Sequence, residues 1–173
     1  MNACIFSPKR LYRYSLVSIV GTEKKICLFI CLNPSTADET RDDNTVRRCK
    51  SYAKQWGYGV FSIANIFAYR ATNPKELYKA NNPIGLDNDR YIRESAECAD
   101  LIVAAWGNHG QYLDRGRHVL TMLREVRKPV HTLGLTRSGQ PRHPLYLAKD
   151  TELQECANAI YQPVAAYMQQ ERP

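Results

Sequence analysis

Short apolar runs separated by polar turns dominate the first part of the chain and predict β-strands. Residues 14–20 alternate in part between apolar and polar side chains, whereas residues 26–32 are apolar at nearly every position. The turn-like segment 21–25 lies between them, so we predict a pair of strands. A strand that is apolar on both faces is typical of the centre of a sheet that helices cover on each side.

A helix follows the second strand and a polar loop. Asp43 is a suitable N-cap for this helix, which we expect to end at Gly57. Its apolar stripe consists of Val46, Cys49, Ala53 and Trp56. Further strands are predicted at residues 60–66, 100–106 and 129–133.

The remaining segments alternate between these strands. We predict a short helix from Pro74, a longer one after Gly85 to about Ala99, and a third after Gly110 with apolar positions at 119–126. A closing helix is expected over residues 153–164. Strands that alternate with helices predict a single α/β domain over residues 1–173, a three-layer α/β/α sandwich with a mainly parallel central sheet.

The apolar runs and the cysteines limit the kinds of protein this chain can be. Every apolar run falls far below the roughly 18 residues that a membrane span needs, and residues 1–10 do not resemble a secretory signal, so we expect a cytoplasmic protein. Six cysteines occur without a Cys-x-x-Cys pair, which argues against a zinc ribbon or an iron–sulfur site. We expect these cysteines to be structural, and we predict no metal and no cofactor. The pattern does not indicate an oligomeric state.

Positive charge is concentrated near the start of the chain. The formal net charge is +7, and residues 1–60 contain ten basic and five acidic residues. A basic surface suits a polyanionic partner, because Lys and Arg displace the counterions of phosphates. A nucleic acid or a nucleotide is therefore the expected partner, and a solvated basic surface without a partner is the alternative.

Three polar loops follow predicted strands, after Leu32, Ile66 and Leu133. In parallel sheets ligands bind beyond the carboxyl ends of the strands, so we expect these loops to converge. The first loop contains Asn33, whose amide can orient a water or the edge of a base because it offers both a donor and an acceptor. Ser35 and Asp43 of the same loop are further substrate-binding candidates, and a turn at Asn33-Pro34 with a capping box from Thr36 to Glu39 is the structural alternative, in which Thr36, Glu39 and Asp43 are structural.

The first loop also contains four carboxylates: Asp38, Glu39, Asp42 and Asp43. Carboxylates can hold Mg²⁺ and would then support hydrolysis of a phosphate ester. No phosphate-binding Gly-rich motif accompanies them and the histidines do not cluster in sequence, so this remains a minor alternative.

The other loops supply the remaining candidates. Asn65 ends a strand and needs a hydrogen-bond partner if it is buried, either a ligand or a neighbouring loop. Phe67 and Tyr69 could stack on a base, and Arg70 could pair with a phosphate.

The third loop, basic and free of acids, offers Arg137, Arg142 and His143, followed by Leu145 and Tyr146. We expect His143 to be neutral because nearby cations disfavour its charged form, which lets it donate an N–H to a developing anion. Trp106, at the end of a further strand, is a candidate for the wall of the site, and the alternative is that it belongs to a tight turn.

Six segments together resemble the bacterial and phage family known as domain of unknown function 1643. They are Leu-Asn-Pro-Ser-Thr-Ala-Asp at 32–38, Asp-Asp-Asn-Thr at 42–45, Trp-Gly-Tyr-Gly at 56–59, Asn-x-Phe-Ala-Tyr-Arg-Ala-Thr at 65–72, Ala-Trp-Gly-Asn-His-Gly at 105–110 and His-Pro-Leu-Tyr at 143–146. The resemblance extends over nearly the whole chain and implies no established activity.

The order of these segments also resembles the uracil-DNA glycosylase superfamily, whose four-stranded parallel α/β fold flips a base from DNA and cleaves its N-glycosidic bond. Cys-Leu-Asn-Pro-Ser at 31–35 is similar to a Gly-Ile-Asn-Pro-Gly motif of the mismatch-specific branch. The resemblance implies that Asn33 positions the attacking water, Asn65 recognises the base and His143 stabilises the base anion. Ser35 departs from this motif because it replaces a glycine, and the Asp42–Asp43 pair has no counterpart.

Two functions from different classes follow. The first is a nucleobase-directed hydrolase similar to a DNA glycosylase, with Arg137 and Arg142 on phosphates and Leu145 or Tyr146 as a wedge. The second is a nucleic-acid or nucleotide binding module that has the same fold and no catalytic activity.

Overall fold

The computed structural model describes residues 1–156 of the 173-residue chain. Its strands are β1 (Asn2–Phe6), β2 (Arg13–Ile19), β3 (Ile26–Cys31), β4 (Val60–Asn65), β5 (Leu101–Ala104), β6 (Val130–Thr132) and β7 (Gln154–Glu155). Its α-helices are α1 (Asn44–Gln55), α2 (Asn88–Cys98) and α3 (Arg115–Glu125). Short 3₁₀ segments span Pro74–Lys79, Asn108–Asp114 and Pro144–Tyr146.

The described strands form one sheet in the order β1-β2-β4-β3-β5-β6-β7. The four strands β4, β3, β5 and β6 run parallel to one another, whereas the pairings β1–β2, β2–β4 and β6–β7 are antiparallel. The prediction of a mixed α/β chain is confirmed, but the prediction of a mainly parallel sheet is wrong. Hydrophobic periodicity reports which faces of a strand are buried and carries no information on the direction of its neighbours.

Strand β3 is buried on both faces, as its sequence predicts. Cys27, Phe29 and Cys31 share one apolar cluster with residues of α1. Leu28 and Ile30 belong to a second cluster, which includes residues of α2 and α3. Helices therefore cover both faces of the sheet around its central strand.

Helix α1 begins as predicted. Asp43 is its N-cap, and the Asp43 Oδ1 accepts a hydrogen bond of 2.8 Å from the backbone N–H of Val46. Val46, Cys49 and Ala53 are buried, so the predicted stripe faces the core. This cap fixes one end of the Asn33–Asp43 loop against the first turn of α1.

Three features of the fold differ from the predictions. Strand β4 lies between β2 and β3, so the predicted pair of strands does not form a hairpin. Strand β1 was not predicted, and β7 occupies the beginning of the predicted closing helix. The remainder of that helix, residues 157–164, lies outside the described residues. No helix within residues 1–156 is long and apolar enough to span a membrane.

A buried arginine connects the loop after β3 to the end of β4. The Arg13 side chain, from β2, is 1% exposed; its Nη1 donates to the Ala37 carbonyl at 3.0 Å and its Nη2 to Asn65 Oδ1 at 3.3 Å. Burial lowers the pKa of the Arg13 guanidinium, and the carboxylate of Asp43 opposes this shift. Asn88 of α2 donates to the carbonyls of Asn65 and Ile66. The strand end is therefore held from both sides.

We predict that Arg13→Met lowers the free energy of unfolding by about 2–4 kcal/mol, because two buried acceptors lose a charged donor. Arg93→Met is the matched control, since Arg93 forms an exposed ion pair with Glu125 that should contribute less than about 1 kcal/mol. Urea unfolding of the two variants measures both values. Equal losses in the two variants would contradict the role given to Arg13.

Candidate functional site

A cavity lies at the carboxyl ends of the parallel strands. Its volume is about 660 Å³, which is typical of a small-molecule site. The loops that follow β3, β4, β5 and β6 each contribute to its wall, through Asn33, Thr72, Trp106 and His143 respectively. The predicted convergence of the polar loops therefore occurs in the structure.

Asn33 lines this cavity with its amide held in one orientation. Its Nδ2 donates to the carbonyls of Pro34 at 3.1 Å and Ala71 at 2.7 Å. Because two carbonyl oxygens can only accept, the amide nitrogen must face them, and Oδ1 is left as an acceptor. No residue within 1–156 forms a hydrogen bond to that Oδ1, so it is available to a ligand or a water.

His143 also lines the cavity, from the loop that follows β6, and its imidazole is neutral. Its Nδ1 accepts a hydrogen bond of 3.3 Å from the backbone N–H of Leu145, which leaves the proton on Nε2. Burial lowers the pKa of His143 to about 4, although the Asp43 carboxylate acts in the opposite direction. The neutral state is as predicted, but its cause is desolvation and not the neighbouring cations.

Asp43 and Ser35 also line the cavity, as predicted for the first loop. Asp43 is the only carboxylate among the described residues of the cavity wall, and it combines this position with its role as the N-cap of α1. Ser35 Oγ lies 3.5 Å from Thr72 Oγ1, at the long limit of a hydrogen bond. Ser35 therefore joins the loop after β3 to the loop after β4.

Trp106 is a fixed part of the wall and is only 1% exposed. Its Nε1 donates to Gln140 Oε1 at 3.0 Å. A Cβ at Gly110 would lie 2.1 Å from Trp106 Cδ1, and one at Gly116 would lie 2.8 Å from Trp106 Nε1. The close approach of the indole leaves no room for a side chain at either glycine. Trp106 therefore belongs both to the tight turn and to the wall of the cavity.

The predicted residues of the third loop lie around the mouth of the cavity, with one exception. Arg142, Leu145 and Tyr146 all line it, and the Tyr146 side chain is 83% exposed. The rings of His143 and Tyr146 are 6.0 Å apart. Arg137 is exposed and does not contribute to the wall.

Asn65 does not line the cavity, which corrects its predicted role in recognising a base. Its side chain is 2% exposed and accepts the hydrogen bond from Arg13. The strand-terminal amide thus satisfies a buried guanidinium of the neighbouring strand. The sequence context allows either a ligand or another part of the protein as the partner of this amide, and the structure shows the second.

The aromatic residues after β4 are also not part of this cavity. Phe67 is fully buried against Tyr112, and Tyr69 packs edge-on to Tyr12 at 6.1 Å. Neither ring lines the cavity, because the apolar run continues into the core beyond the end of the strand. Arg70 lines a separate, second cavity.

Three of the four acids of the first loop bind other groups of the protein and do not line the cavity. Asp42 binds Lys50 at 2.8 Å and Asn2 at 3.0 Å, Glu39 pairs with Arg10, and Asp38 Oδ1 accepts from the backbone of Thr40 and Arg41. The Arg10 guanidinium lowers the pKa of Glu39 to about 2. No group of three or more metal-binding side chains occurs among residues 1–156. Asp38, Glu39 and Asp42 are therefore structural, and Asp43 is the one acid of this loop that lines the cavity.

Several polar residues of the wall were not predicted. They are Thr36, Asn44, Thr45, Thr72, Asn108, His109 and Thr136. Asn108 Oδ1 accepts from Ser138 Oγ at 2.8 Å, and His109 Nδ1 lies 2.6 Å from the Tyr78 hydroxyl. Most of them lie in the six segments that carry the family resemblance, and this position is the signal that could have identified them. Hydroxyls and amides in loops are too common to identify a site by residue type alone.

We predict that His143 makes stability fall in acid. Its pKa is about 6.5 in the unfolded chain and about 4 in the folded one, so the unfolded state binds more protons between these values. The contribution of His143 to the free energy of unfolding is therefore most favourable above pH 6.5. It falls by up to about 3 kcal/mol as the pH decreases through 4.

Urea unfolding at several pH values measures this loss in the wild type and in His143→Gln, which should lose less stability over that range. Asn81→Ala, which changes an exposed and uncharged side chain outside the cavity wall, is the control and should follow the wild type. Identical pH profiles for wild type and His143→Gln would contradict a neutral, desolvated His143.

Comparison with known proteins gives one match. A family model described as protein of unknown function (DUF1643) matches residues 13–145. Comparisons with curated proteins and with solved structures gave no match. The matched region begins at Arg13 and contains Asn33, Asp43 and His143, so it includes the buried arginine and most of the cavity wall. The chain belongs to the DUF1643 family.

Proposed function

We propose that the cavity binds a nucleobase and that the chain hydrolyses the N-glycosidic bond between this base and its sugar, in DNA or in a modified nucleotide. The observation that carries the proposal is the neutral His143 in the same cavity as the Asn33 amide and the Asp43 carboxylate. A cavity of about 660 Å³ has room for a nucleobase and part of its sugar.

The leaving group explains why a neutral histidine suits this reaction. When the C1′–N bond breaks, the electron pair remains on the base, which departs as an anion. A hydrogen-bond donor fixed in advance stabilises such a charge as it develops. His143 is this donor, because its Nδ1 is engaged with Leu145 and its Nε2 carries the proton.

The attacking water requires acceptors on the sugar side. Asn33 Oδ1 is unoccupied within the described chain and can orient the water, while its Nδ2 remains bound to Ala71. As the water oxygen bonds to C1′, its proton passes to Asp43. The same carboxylate stabilises positive charge on the sugar as the bond to the base weakens.

Recognition of the base falls to residues other than Asn65. Asn108 is suitable because its Oδ1 accepts from Ser138, which leaves its Nδ2 as a donor to a base edge. Leu145 and Tyr146 lie at the mouth, where an apolar or aromatic side chain can fill the space left by a flipped base. Such a wedge offsets part of the few kcal/mol that unstacking costs.

The fold supports the same proposal. Strands β4, β3, β5 and β6 form four parallel neighbours with helices on both faces, and this unit is the part of the fold on which we base the proposed likeness to the uracil-DNA glycosylase superfamily. The antiparallel strands β1, β2 and β7 extend this unit at its edges. The cavity opens at the carboxyl ends of the parallel strands, where ligands of such sheets bind.

The test is the formation of abasic sites in labelled oligonucleotides that contain uracil or another modified base, detected by alkaline cleavage. We expect His143→Ala and Asn33→Ala to lower the rate about 10²-fold to 10³-fold, which is typical of a lost transition-state donor or water ligand. His118→Ala and Asn81→Ala are matched controls, because both residues are exposed and lie outside the cavity wall. Abasic sites that form equally in all variants would contradict the proposed roles.

A nucleotide-binding module without catalytic activity is the second candidate. It is favoured by one observation, that the only carboxylate in the described cavity wall is also committed to capping α1. This candidate predicts salt-sensitive binding of the oligonucleotide, no abasic sites with any base tested, and little effect of Asn33→Ala on affinity.

A further inference from the structure

A second cavity of about 530 Å³ adjoins the first. The two cavities share Ser35, Thr36, Ala71 and Thr72, so a wall of small residues and hydroxyls separates them. The far side of the second cavity is basic: Lys9, Arg10 and Arg70 line it, against one carboxylate, Glu76. A ligand that extends past Ser35 and Thr72 therefore passes from the first cavity, whose lining has no net charge, to the second cavity, whose lining is positive.

Arg70 has hydrogen-bonding capacity that the protein does not use. Its Nη1 donates to the carbonyl of Arg10 at 3.1 Å, and its guanidinium lies 5.0 Å from the centre of the Phe6 ring. Its Nε is buried, and within residues 1–156 it has no acceptor. Its Nη2 likewise makes no hydrogen bond to any described residue. The Nε is too buried to reach a ligand, so the Nη2 group is the donor that is suited to binding an oxyanion.

The turn that carries Lys9 is held in place beside Arg70. Arg10 adopts a left-handed backbone conformation with φ of 54°, and its guanidinium binds both oxygens of Glu39, at 2.9 and 2.8 Å. The charge of Arg10 is thus neutralised by its partner. Lys9 forms no hydrogen bond or ion pair with any described residue, so Lys9 and Arg70 supply the uncompensated charge of this cavity.

We propose that the second cavity binds the phosphate of the nucleotide whose base occupies the first cavity. The assignment of the base rests on the proposed function, whereas the phosphate site rests on Lys9, Arg70 and the shared wall. Ser35 and Thr72 lie where the sugar would pass, and their hydroxyls can bind it. A free nucleotide and a single strand offer the same phosphate chemistry.

Inorganic phosphate tests this site without a base. In a titration followed by ¹H–¹⁵N NMR, we expect the amide signals of Lys9, Arg10 and Arg70 to shift. Lys9→Ala should weaken phosphate binding on the order of fivefold, and Glu76→Gln should strengthen it, since a carboxylate repels the anion. Lys24→Ala removes the same charge from an exposed position outside both cavities and should change nothing.

Two results would overturn the proposal. One is a titration in which phosphate shifts none of these signals, and the other is a loss of phosphate affinity in Lys24→Ala as large as that in Lys9→Ala. A failure of the hydrolase proposal is distinguishable, because phosphate can bind in this way while no abasic site forms.

Thymidine monophosphate and a short oligothymidylate then distinguish the two sources of the phosphate and test whether the cavities act together. Both should bind more tightly than inorganic phosphate, since base and phosphate are held at once. If a strand is the ligand, Lys9→Ala should also reduce the slope of log K against log salt by about 0.7. Nucleotides that bind no better than inorganic phosphate would refute the link between the two cavities.

Discussion

The buried guanidinium of Arg13 is the contact on which the geometry of the site depends. It binds the carbonyl of Ala37 and the amide of Asn65, and so ties the loop after β3 to the end of β4. A charge that is 1% exposed needs hydrogen-bond acceptors, which explains why a polar strand end and a loop carbonyl meet at this point, although the buried Nε of Arg13 has no acceptor within residues 1–156. The loop continues to Asp43, which caps α1, so the loop is fixed in its middle, at Ala37, and at its end.

This fixed loop and the segment around His143 enclose a cavity with an unusual balance of charge. Desolvation keeps His143 neutral although the Asp43 carboxylate favours its protonation, so burial is the stronger effect. The result is a donor, a carboxylate and an oriented amide in one cavity. The positive charge lies instead at the mouth, on Arg142, and in the adjoining cavity, on Lys9 and Arg70. A ligand with a flat neutral part and a charged phosphate suits this division.

The sequence predicts the parts of this arrangement that follow from burial and from strand order. The sequence of β3 is apolar on both faces, which predicts its position at the centre of the sheet. Asn33 and His143 are predicted to meet because both follow strands that are predicted to be parallel. Asn65 and Phe67 were misassigned, because a sequence shows that a buried amide needs a partner but not which partner, and does not show where an apolar run turns into the core. The antiparallel edges were missed since β1 and β7 are short and strand direction leaves no trace in periodicity.

A crystal structure of the chain soaked with uracil is the most direct test of the central claim, that Asn33, Asp43 and His143 surround a chamber for a flat heterocycle. The account predicts a planar ring inside the cavity, with an acceptor atom of the base within hydrogen-bond distance of His143 Nε2 and a water bound to Asn33 Oδ1. A ring bound elsewhere, or a His143 Nε2 that donates to a group of the protein itself, would contradict it.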